Sequence, residues 1–249
     1  MKVFKNNCIL LNITKMKTLF INGCSFGECW TPTNNFIKSL GCEEAVNISK
    51  IATSFQRTCR STVEWIAQNG NPAFVVIPVT FVHRWELAIA KNEDPIDGSW
   101  YPMQISGLIN PADIQLNTDI DVDKLEELKS LYYGAIPTIK TFWDKAFTEI
   151  ILLASFLEQK NIKYLFIDMC NEFDRIHIKG YSGFEKLKLI EQNRNIVDLF
   201  SFCGNRYMWN TIKNNKDIEF NTHHAPEQYQ ELEKYLLNYV ENNTYNKNY

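Results

Sequence analysis

The feature that most constrains the fold of this chain is an uninterrupted apolar run of strand length, AFVVIPV at residues 73–79. A strand that is apolar at every position has no side that could face water, so it must be covered on both faces. Such strands lie inside parallel sheets that carry helices on both sides. Other candidate strands occupy residues 18–21, 45–49 and 163–168. We therefore predict an α/β fold, a three-layer α/β/α sandwich with a mostly parallel sheet.

Segments with apolar residues at helical spacing predict the helices that cover this sheet. The clearest are residues 54–69, 138–159 and 226–240. Ser54 is the expected N-cap of the first helix, because its hydroxyl can accept a hydrogen bond from a backbone N–H of the first turn. We predict an apolar inward face and a charged outward face for this helix. The inward face carries Val63, Trp65 and Ile66, and the outward face carries Arg57, Arg60 and Glu64.

A serine stands between two glycines directly after the first candidate strand, in Gly23-Cys24-Ser25-Phe26-Gly27. Functional groups of α/β proteins lie at the carboxyl ends of strands. A turn of this kind can present the Ser25 hydroxyl beside the N–H groups of a helix start, which is what a nucleophilic serine needs. The same residues also suit an ordinary strand-to-helix turn with a small residue at the N-cap. The local sequence leaves both interpretations open.

Polar residues follow two further candidate strands, in the segments 47–54 and 80–86. The carboxyl ends of parallel strands meet at one edge of a sheet, where α/β proteins bind ligands. We therefore expect both segments to lie beside Ser25, and we take Arg84 and Glu86 as candidate substrate-binding residues. The alternative is a solvent-exposed ion pair at the start of a helix, which would contribute little to stability.

The segment 92–123 is rich in aspartate and interrupted by prolines, which predicts a long irregular insertion into the domain. Long irregular segments of compact domains are often lids or binding loops, so we expect it to lie over the same edge of the sheet. Trp100 and Tyr101 are candidate substrate-binding residues that would form an aromatic wall. Aromatic residues beside a polar cleft suit sugar binding, but they are equally ordinary core residues.

Two adjacent histidines, His223 and His224, precede the last predicted helix. One of them is a candidate general base at the edge of the sheet, and the alternative is an exposed pair on a loop. Adjacent histidines do not easily converge on one metal ion, and no cysteine or aspartate spacing completes a metal site. We predict neither a metal nor another cofactor.

Composition excludes several classes of protein. The formal net charge of −3 gives no basic field that would attract nucleic acid or an anionic membrane. No apolar run reaches the ~18 residues that a membrane-spanning helix needs. The seven cysteines lack CxxC pairs and regular spacing, which favours reduced thiols in a cytoplasmic protein.

The length of 249 residues favours one large domain, which we place at residues 17–241. Residues 1–16 lack the long apolar core and the cleavage site of a signal peptide, so we interpret them as a dispensable extension. Residues 242–249 are predicted to be a polar tail. The abundance of asparagine, lysine and isoleucine indicates an AT-rich genome, for which a viral origin is one explanation.

In chain order, these residues resemble the sequence blocks of the SGNH/GDSL hydrolases, a family of serine esterases and acylhydrolases with a flavodoxin-like α/β/α fold. The resemblance runs from about residue 17 to residue 240. Gly23-Cys24-Ser25-Phe26 resembles the first block, with Cys24 in place of an aspartate, and this GCSF variant is similar to SGNH-like proteins of bacteria and their viruses. A serine after the first strand and a histidine before the last helix fit this family. They do not fit the usual α/β-hydrolases, whose serine follows a later strand.

The remaining blocks of the family match in part. Residues 47–55 resemble the second block, and Ala52 stands near the glycine that donates to the family's oxyanion hole. Thr80 stands where the third block has an asparagine. Residues 223–226 (HHAP) resemble the last block, and the position of its aspartate is nearest to Asn221.

The resemblance implies an acyl-transfer mechanism. Ser25 would attack an ester carbonyl and His223 would take its proton, with His224 as the alternative base. The N–H groups of Ser25 and Ala52, together with the Thr80 hydroxyl, would hold the oxyanion. The expected protein is a cofactor-free esterase or acylhydrolase that acts on a small-molecule or glycan ester, and an O-acyl group on a carbohydrate is one candidate substrate.

Asn221 at the aspartate position leaves the orienting group of the base open. Replacing the aspartate of the serine protease triad with asparagine lowers turnover roughly ten-thousand-fold, because the imidazole tautomer is then wrong. A backbone carbonyl or another carboxylate, Asp217 or Glu219, is the alternative orienting group. The alternative function is a catalytically weakened module of the same fold that binds a carbohydrate or another ligand without hydrolysis.

Overall fold

The computed structural model describes residues 17–51, 53–79, 81–82, 84–88, 100–103, 122–135, 139–168, 184–192, 196–197 and 226–242. Its strands are β1 (Thr18–Ile21), β2 (Glu44–Asn47), β3 (Phe74–Val79), β4 (Trp85–Ala88), β5 (Trp100–Met103), β6 (Lys163–Asp168) and β7 (Ile196–Val197). Five of these strands form one sheet in the order β2-β1-β3-β6-β7, and all neighbours run parallel. The predicted parallel α/β sheet is confirmed.

The helices in these ranges are α1 (Ser25–Glu28), α2 (Asn34–Ser39), α3 (Phe55–Asn69), α4 (Val122–Ala135), α5 (Ile139–Gln159), α6 (Phe184–Gln192) and α7 (Pro226–Asn242). The three clearest helical patterns of the sequence correspond to α3, α5 and α7. Asn242, which we predicted to begin the polar tail, is the last residue of α7.

Strand β3 is the centre of the sheet and is buried at every position. Its side chains pack into two separate apolar cores, because successive residues of a strand point to opposite faces. Val75 and Ile77 belong to the core beneath α3 and α5, whereas Phe74 and Val76 belong to the core on the side of α1, α2 and α7. The two cores confirm the predicted three-layer sandwich.

Helix α3 begins as predicted, but its inward and outward faces differ from the prediction. The Ser54 hydroxyl accepts a hydrogen bond from the N–H of Arg57 at 3.0 Å and so caps the helix. Arg57 was expected on the outside and is only 3% exposed, whereas Val63 was expected inside and is 37% exposed. The guanidinium of Arg57 is tolerated in the interior because buried oxygens accept its hydrogen bonds.

The segment that follows β3 contains a strand rather than the start of a helix. Strands β4 and β5 form a separate antiparallel pair, from Trp85 opposite Met103 to Ala88 opposite Trp100. Part of the predicted irregular insertion at residues 92–123 is therefore regular, and its last two residues belong to α4. The apolar–polar–apolar pattern of Trp85, Glu86 and Leu87 is a short strand signal that the sequence-based prediction did not use.

Three sequence-based predictions concern the chain as a whole, and the structure bears on the first two of them. No helix among the described residues is both long and apolar enough to cross a membrane. The cysteines in the described ranges, Cys24, Cys29, Cys42 and Cys59, are in the reduced form. The predicted extension at residues 1–16 lies outside the described residues, and the domain boundaries stay predictions.

Candidate active site

Ser25 is the first residue of α1, directly after the turn that ends β1. Cys24 precedes the helix in an extended conformation, and its carbonyl accepts hydrogen bonds from the N–H groups of Gly27 (2.9 Å) and Glu28 (3.0 Å). Ser25 is 8% exposed, and its hydroxyl makes no hydrogen bond to a described residue. The first N–H groups of any helix lack an acceptor within the helix. The turn therefore offers an unengaged hydroxyl close to backbone donors.

Gly23 and Gly27 are needed because neighbouring strand ends approach the serine turn closely. A Cβ on Gly23 would lie 2.7 Å from the carbonyl oxygen of Pro78 and 2.9 Å from its Cβ. A Cβ on Gly27 would overlap the hydroxyl of Ser49 and lie 3.0 Å from the Cβ of that residue. Neither glycine has a positive φ. The turn is thus held between the end of β3 and the segment after β2.

Asn47, the last residue of β2, fixes the serine turn from the other side. Its Nδ2 donates hydrogen bonds to the carbonyls of Gly27 (2.7 Å) and Trp30 (3.0 Å). Its Oδ1 accepts a hydrogen bond from the N–H of Ser49 at 3.0 Å. One amide side chain therefore links β2, α1 and the segment after β2. The sequence marked this residue only as the start of a polar segment.

The segment after β2 is also bonded to the residue that begins the serine turn. The carbonyl of Gly23 accepts hydrogen bonds from the N–H of Lys50 (3.1 Å) and from the Thr53 hydroxyl (3.3 Å). The Thr53 hydroxyl lies 2.9 Å from the carbonyl of Lys50 as well. These contacts confirm the expectation that the segment 47–54 lies beside Ser25.

A buried polar network stands behind the turn, and sequence reasoning missed it. Asn22 is fully buried, and its Oδ1 accepts a hydrogen bond from the Arg57 guanidinium at 3.1 Å. The guanidinium also donates to the carbonyl of Ile48 at 3.1 Å. Arg57 therefore connects the residues that follow β1 and β2. The Nδ2 of Asn22 lies within 3.0 Å of three α3 acceptors, namely the Thr58 carbonyl and the hydroxyls of Ser61 and Thr62. The sequence signal that could have indicated this network is the polar stripe that Arg57, Thr58, Ser61 and Thr62 form along α3.

Helix α7 is anchored to the residues that surround Ser25. The Tyr229 hydroxyl donates a hydrogen bond to the carbonyl of Phe26 at 2.6 Å, and burial raises the pKa of this phenol. The carboxylate of Glu233, which is 4% exposed, accepts hydrogen bonds from the Trp30 indole (3.0 Å) and the N–H of Thr33 (2.9 Å). These partners lie about two hundred positions apart in the chain, so no local sequence pattern could reveal them.

Several predicted site residues are not positioned by the structure. Lying outside the described residues are Ala52, Thr80, Asn221, His223 and His224. Trp100 and Tyr101 belong to β5, but only their backbone is described. The nucleophile, the base, the orienting group, the aromatic wall and all three oxyanion donors therefore stay predictions.

Glu86 and Arg84 lie near the same edge of the sheet but do not form the exposed ion pair considered above. Glu86 is 5% exposed, and its carboxylate pairs with the guanidinium of Arg60 on α3 at 3.3 Å. The guanidinium of Arg84 lies 4.8 Å from the centre of the Phe81 ring. The role of both residues in substrate binding stays a prediction.

A second acidic side chain lies close to Glu86 in the layer between α3 and α5. Burial raises the pKa of Glu149 to about 7; Lys145 opposes this shift, and the charge of Glu86 adds to it. The thiol of Cys59 lies 3.8 Å from the carbonyl oxygen of Glu149, and burial raises the pKa of this thiol well above its usual value. Burial therefore brings the pKa of Glu149 closer to neutral pH than that of an ordinary glutamate.

Among the residues that the structure describes, no group of histidine, cysteine, aspartate and glutamate side chains could hold a metal ion. The arrangement around Ser25 is one of hydroxyl and backbone groups. Chemically it suits attack by an oxygen nucleophile and stabilisation of negative charge by N–H donors.

The chain belongs to a family of unknown function, DUF6071, whose model matches residues 22–247. A comparison with curated protein sequences gives no match. This family assignment carries no activity of its own.

Solved structures that resemble the chain have low sequence identity to it. A GDSL-like lipase from Bacteroides thetaiotaomicron is 14% identical, with 92% of this chain and 90% of that chain covered and a TM-score of 0.47. The psychrotrophic esterase EstA from Pseudoalteromonas sp. is 12% identical, with 90% and 97% covered and a TM-score of 0.45. The acetyl xylan esterase AlAXEase is 15% identical, with 90% and 99% covered and a TM-score of 0.45.

Proposed function

We propose that this chain is a serine ester hydrolase in which Ser25 is the nucleophile. The proposal rests on the surroundings of the Ser25 hydroxyl. Its hydroxyl is unengaged among the described residues, although the turn around it is fixed by close packing and hydrogen bonds on several sides. A rigid support around an unengaged nucleophile is what acyl transfer needs, because the reacting groups must be held in place.

The base in this proposal is His223, with His224 as the alternative. Tyr229 in the first turns of α7 bonds to Phe26, the residue after the nucleophile. His223 precedes Pro226, the first residue of α7, by three positions, which is at most about 11 Å of extended chain. The anchoring of α7 therefore supports a histidine within reach of Ser25. Asn221 or a nearby carboxylate would orient that histidine.

The oxyanion hole in this proposal consists of the N–H groups of Ser25 and Ala52 with the Thr80 hydroxyl. Ala52 lies between Lys50 and Thr53, both of which bond to the carbonyl of Gly23. Thr80 follows the last residue of β3, two positions after Pro78, which packs against Gly23. Losing one donor of such a hole typically raises the barrier by about 2.7–4 kcal/mol.

The proposed substrate is a small-molecule or glycan ester, with an O-acyl group on a carbohydrate as one case. The mechanism proceeds by addition of Ser25 Oγ to the carbonyl carbon, transfer of its proton to the histidine, and departure of the alcohol. The resulting acyl-enzyme is then hydrolysed by water, which the same histidine deprotonates. Binding without hydrolysis is the competing function, and it is favoured by an asparagine, Asn221, nearest to the sequence position where the resembling family has its aspartate.

The test is the hydrolysis of an activated ester, p-nitrophenyl acetate, by the purified wild type and by Ser25→Ala, His223→Ala and His224→Ala. Ser155→Ala is the matched control, since Ser155 is an exposed serine whose hydroxyl bonds to its own helix. We expect Ser25→Ala and one histidine variant to lose activity and the control to retain it. Equal rates for Ser25→Ala and the folded wild type would refute the proposal. No hydrolysis by the wild type would favour the binding module.

A further inference from the structure

The guanidinium of Arg57 lies between the two parts of the chain that supply the backbone donors of the proposed oxyanion hole. Its Nη1 donates hydrogen bonds to Asn22 Oδ1 at 3.1 Å and to the carbonyl oxygen of Ile48 at 3.1 Å. Asn22 directly precedes the serine turn (residues 23–27), and Ile48 begins the segment after β2 (residues 48–54). One nitrogen atom therefore links the serine turn to the neighbouring segment.

Both acceptors of this guanidinium are held in place by other hydrogen bonds. The N–H of Asn22 donates to the carbonyl of Val76 on β3 at 3.2 Å, and its Nδ2 lies within hydrogen-bond distance of three acceptors on α3. The N–H of Ile48 donates to the carbonyl of Ile21 on β1 at 3.0 Å. Because neither acceptor can turn away, a displaced guanidinium would have to shift one of the two segments.

The location of Arg57 is unfavourable for α3 itself. It is the third residue of the helix, and a cation in the first turn is opposed by the helix dipole. Arg57 is also only 3% exposed, and moving a guanidinium out of water costs free energy. Replacing buried charged groups with apolar residues of similar size is often neutral or stabilising. Stability therefore does not account for an arginine here, which points to a role in the adjacent site.

Ester hydrolysis gives a reason for directional bonds at this place. The oxyanion that forms on the carbonyl has to meet N–H donors from both segments at once, so their separation must be correct. A misplacement of about 1 Å can cost about a hundredfold in rate. The planar guanidinium presents its N–H groups in fixed directions, which the flexible ammonium of a lysine does not.

We propose that Arg57 is a positioning residue whose guanidinium sets the distance between the serine turn and the segment after β2, and with it the geometry of the oxyanion hole. This inference rests on the proposed ester hydrolysis. Arg57 acts through Asn22 and Ile48, and its role needs no contact with the substrate.

The experiment is steady-state hydrolysis of p-nitrophenyl acetate by the wild type, Ser25→Ala, Arg57→Lys and Arg57→Gln. Arg57→Lys keeps the charge and loses the planar group, whereas Arg57→Gln keeps a planar N–H donor and loses the charge and the reach. We expect kcat to fall at least about tenfold in both Arg57 variants while KM stays within about threefold, because the oxyanion exists only in the transition states and intermediates.

The matched control for a general loss of stability is Tyr164→Phe. The buried Tyr164 hydroxyl donates a hydrogen bond to Glu158 at 2.6 Å, near the amino end of β6 and so at the opposite edge of the sheet from Ser25. This variant is expected to be less stable than the wild type and to keep its kcat. Thermal unfolding of each variant verifies that it is folded under the assay conditions.

Amide hydrogen exchange, followed by mass spectrometry, tests the same role without reference to activity. We expect residues 48–54 to exchange faster in Arg57→Lys than in the wild type and in Tyr164→Phe, and α5 to exchange as in the wild type. Unchanged exchange in residues 48–54 would overturn the inference.

The kinetic outcomes separate this inference from the function on which it rests. A wild type without Ser25-dependent hydrolysis would refute the proposed function and the role of Arg57 together. Ser25-dependent hydrolysis with an unchanged kcat in Arg57→Lys, with a rise in KM alone, or with an equal loss of kcat in Tyr164→Phe would overturn the role of Arg57 and leave the proposed function standing.

Discussion

Replacing Gly23 with alanine adds one methyl group at the point where the serine turn meets the central strand. The new Cβ would lie 2.7 Å from the carbonyl oxygen of Pro78, a distance that real Cβ atoms essentially never show. Pro78 cannot recede easily, because β3 is paired with β1 on one side and β6 on the other. Overpacking of this kind costs about 1–3 kcal/mol. Alanine also lowers the conformational entropy of the unfolded chain, which offsets about 0.4–1 kcal/mol of this cost.

The net expectation for Gly23→Ala is a loss of about 1–2 kcal/mol in the free energy of unfolding. For a chain of this size, that corresponds to a fall of roughly 2–8 °C in melting temperature. The assay is thermal and urea unfolding of Gly23→Ala beside the wild type. The control is Gly134→Ala on α4, where a Cβ meets nothing within 4 Å and where alanine favours the helix by up to about 1 kcal/mol. A Gly23→Ala variant as stable as Gly134→Ala would refute the close approach to Pro78.

Three further predictions concern the surroundings of the site. Gly27→Ala should destabilise the fold, because its new Cβ would overlap Ser49 Oγ, and adding Ser49→Ala should recover part of this loss. A double-mutant cycle in urea measures the coupling between the two substitutions. Strictly additive changes in unfolding free energy would argue against the contact. Glu233→Ala should cost about 1–3 kcal/mol in unfolding free energy, since one carboxylate oxygen accepts hydrogen bonds from both the Trp30 indole and the Thr33 N–H and both donors would lose this acceptor. A change below about 0.5 kcal/mol would contradict this role. The raised pKa of Glu149, about 7 in the folded state, means that the folded protein binds the proton more tightly than the unfolded chain does. The associated stability is therefore present below the ordinary glutamate pKa and is lost as pH rises through about 7, so Glu149→Gln should flatten the fall in melting temperature between pH 5 and pH 8; an unchanged pH profile would show that another group is responsible.

The sheet and its main helices were predictable because burial leaves a compositional signal. A strand covered on both faces, such as β3, has to be apolar throughout, and α5 has to place apolar residues at helical spacing. The pair β4 and β5 was missed because the turn residues between the two strands, Asp94-Pro95 and Asp97-Gly98, were interpreted as part of one long irregular insertion. Arg57 was placed on the wrong face because a charged residue is normally exposed. Its burial depends on acceptors, Asn22 and Ile48, that no helical pattern reveals.

Only the part of the candidate site that is formed by residues adjacent in the sequence could be predicted. Ser25 could be identified because a strand, two glycines and a helix start are adjacent in the chain. The contributions of Tyr229 and Glu233 arise from contacts with residues about two hundred positions away, so they depend on the finished fold. The hydrogen bonds of the Asn47 side chain to the carbonyls of Gly27 and Trp30 also depend on the fold, although these partners are only 20 and 17 positions away in the chain.

The most direct test of the central claim is to locate the adduct of a fluorophosphonate probe on the folded protein. A nucleophilic serine that is activated by a base reacts with such a probe, whereas an ordinary hydroxyl does not. Peptide mapping by mass spectrometry, after incubation of the wild type, Ser25→Ala and Ser155→Ala, identifies the modified residue. The account predicts one adduct, on Ser25, in the wild type and in Ser155→Ala and none in Ser25→Ala. A folded wild type without an adduct, or an adduct that persists in Ser25→Ala, would contradict it.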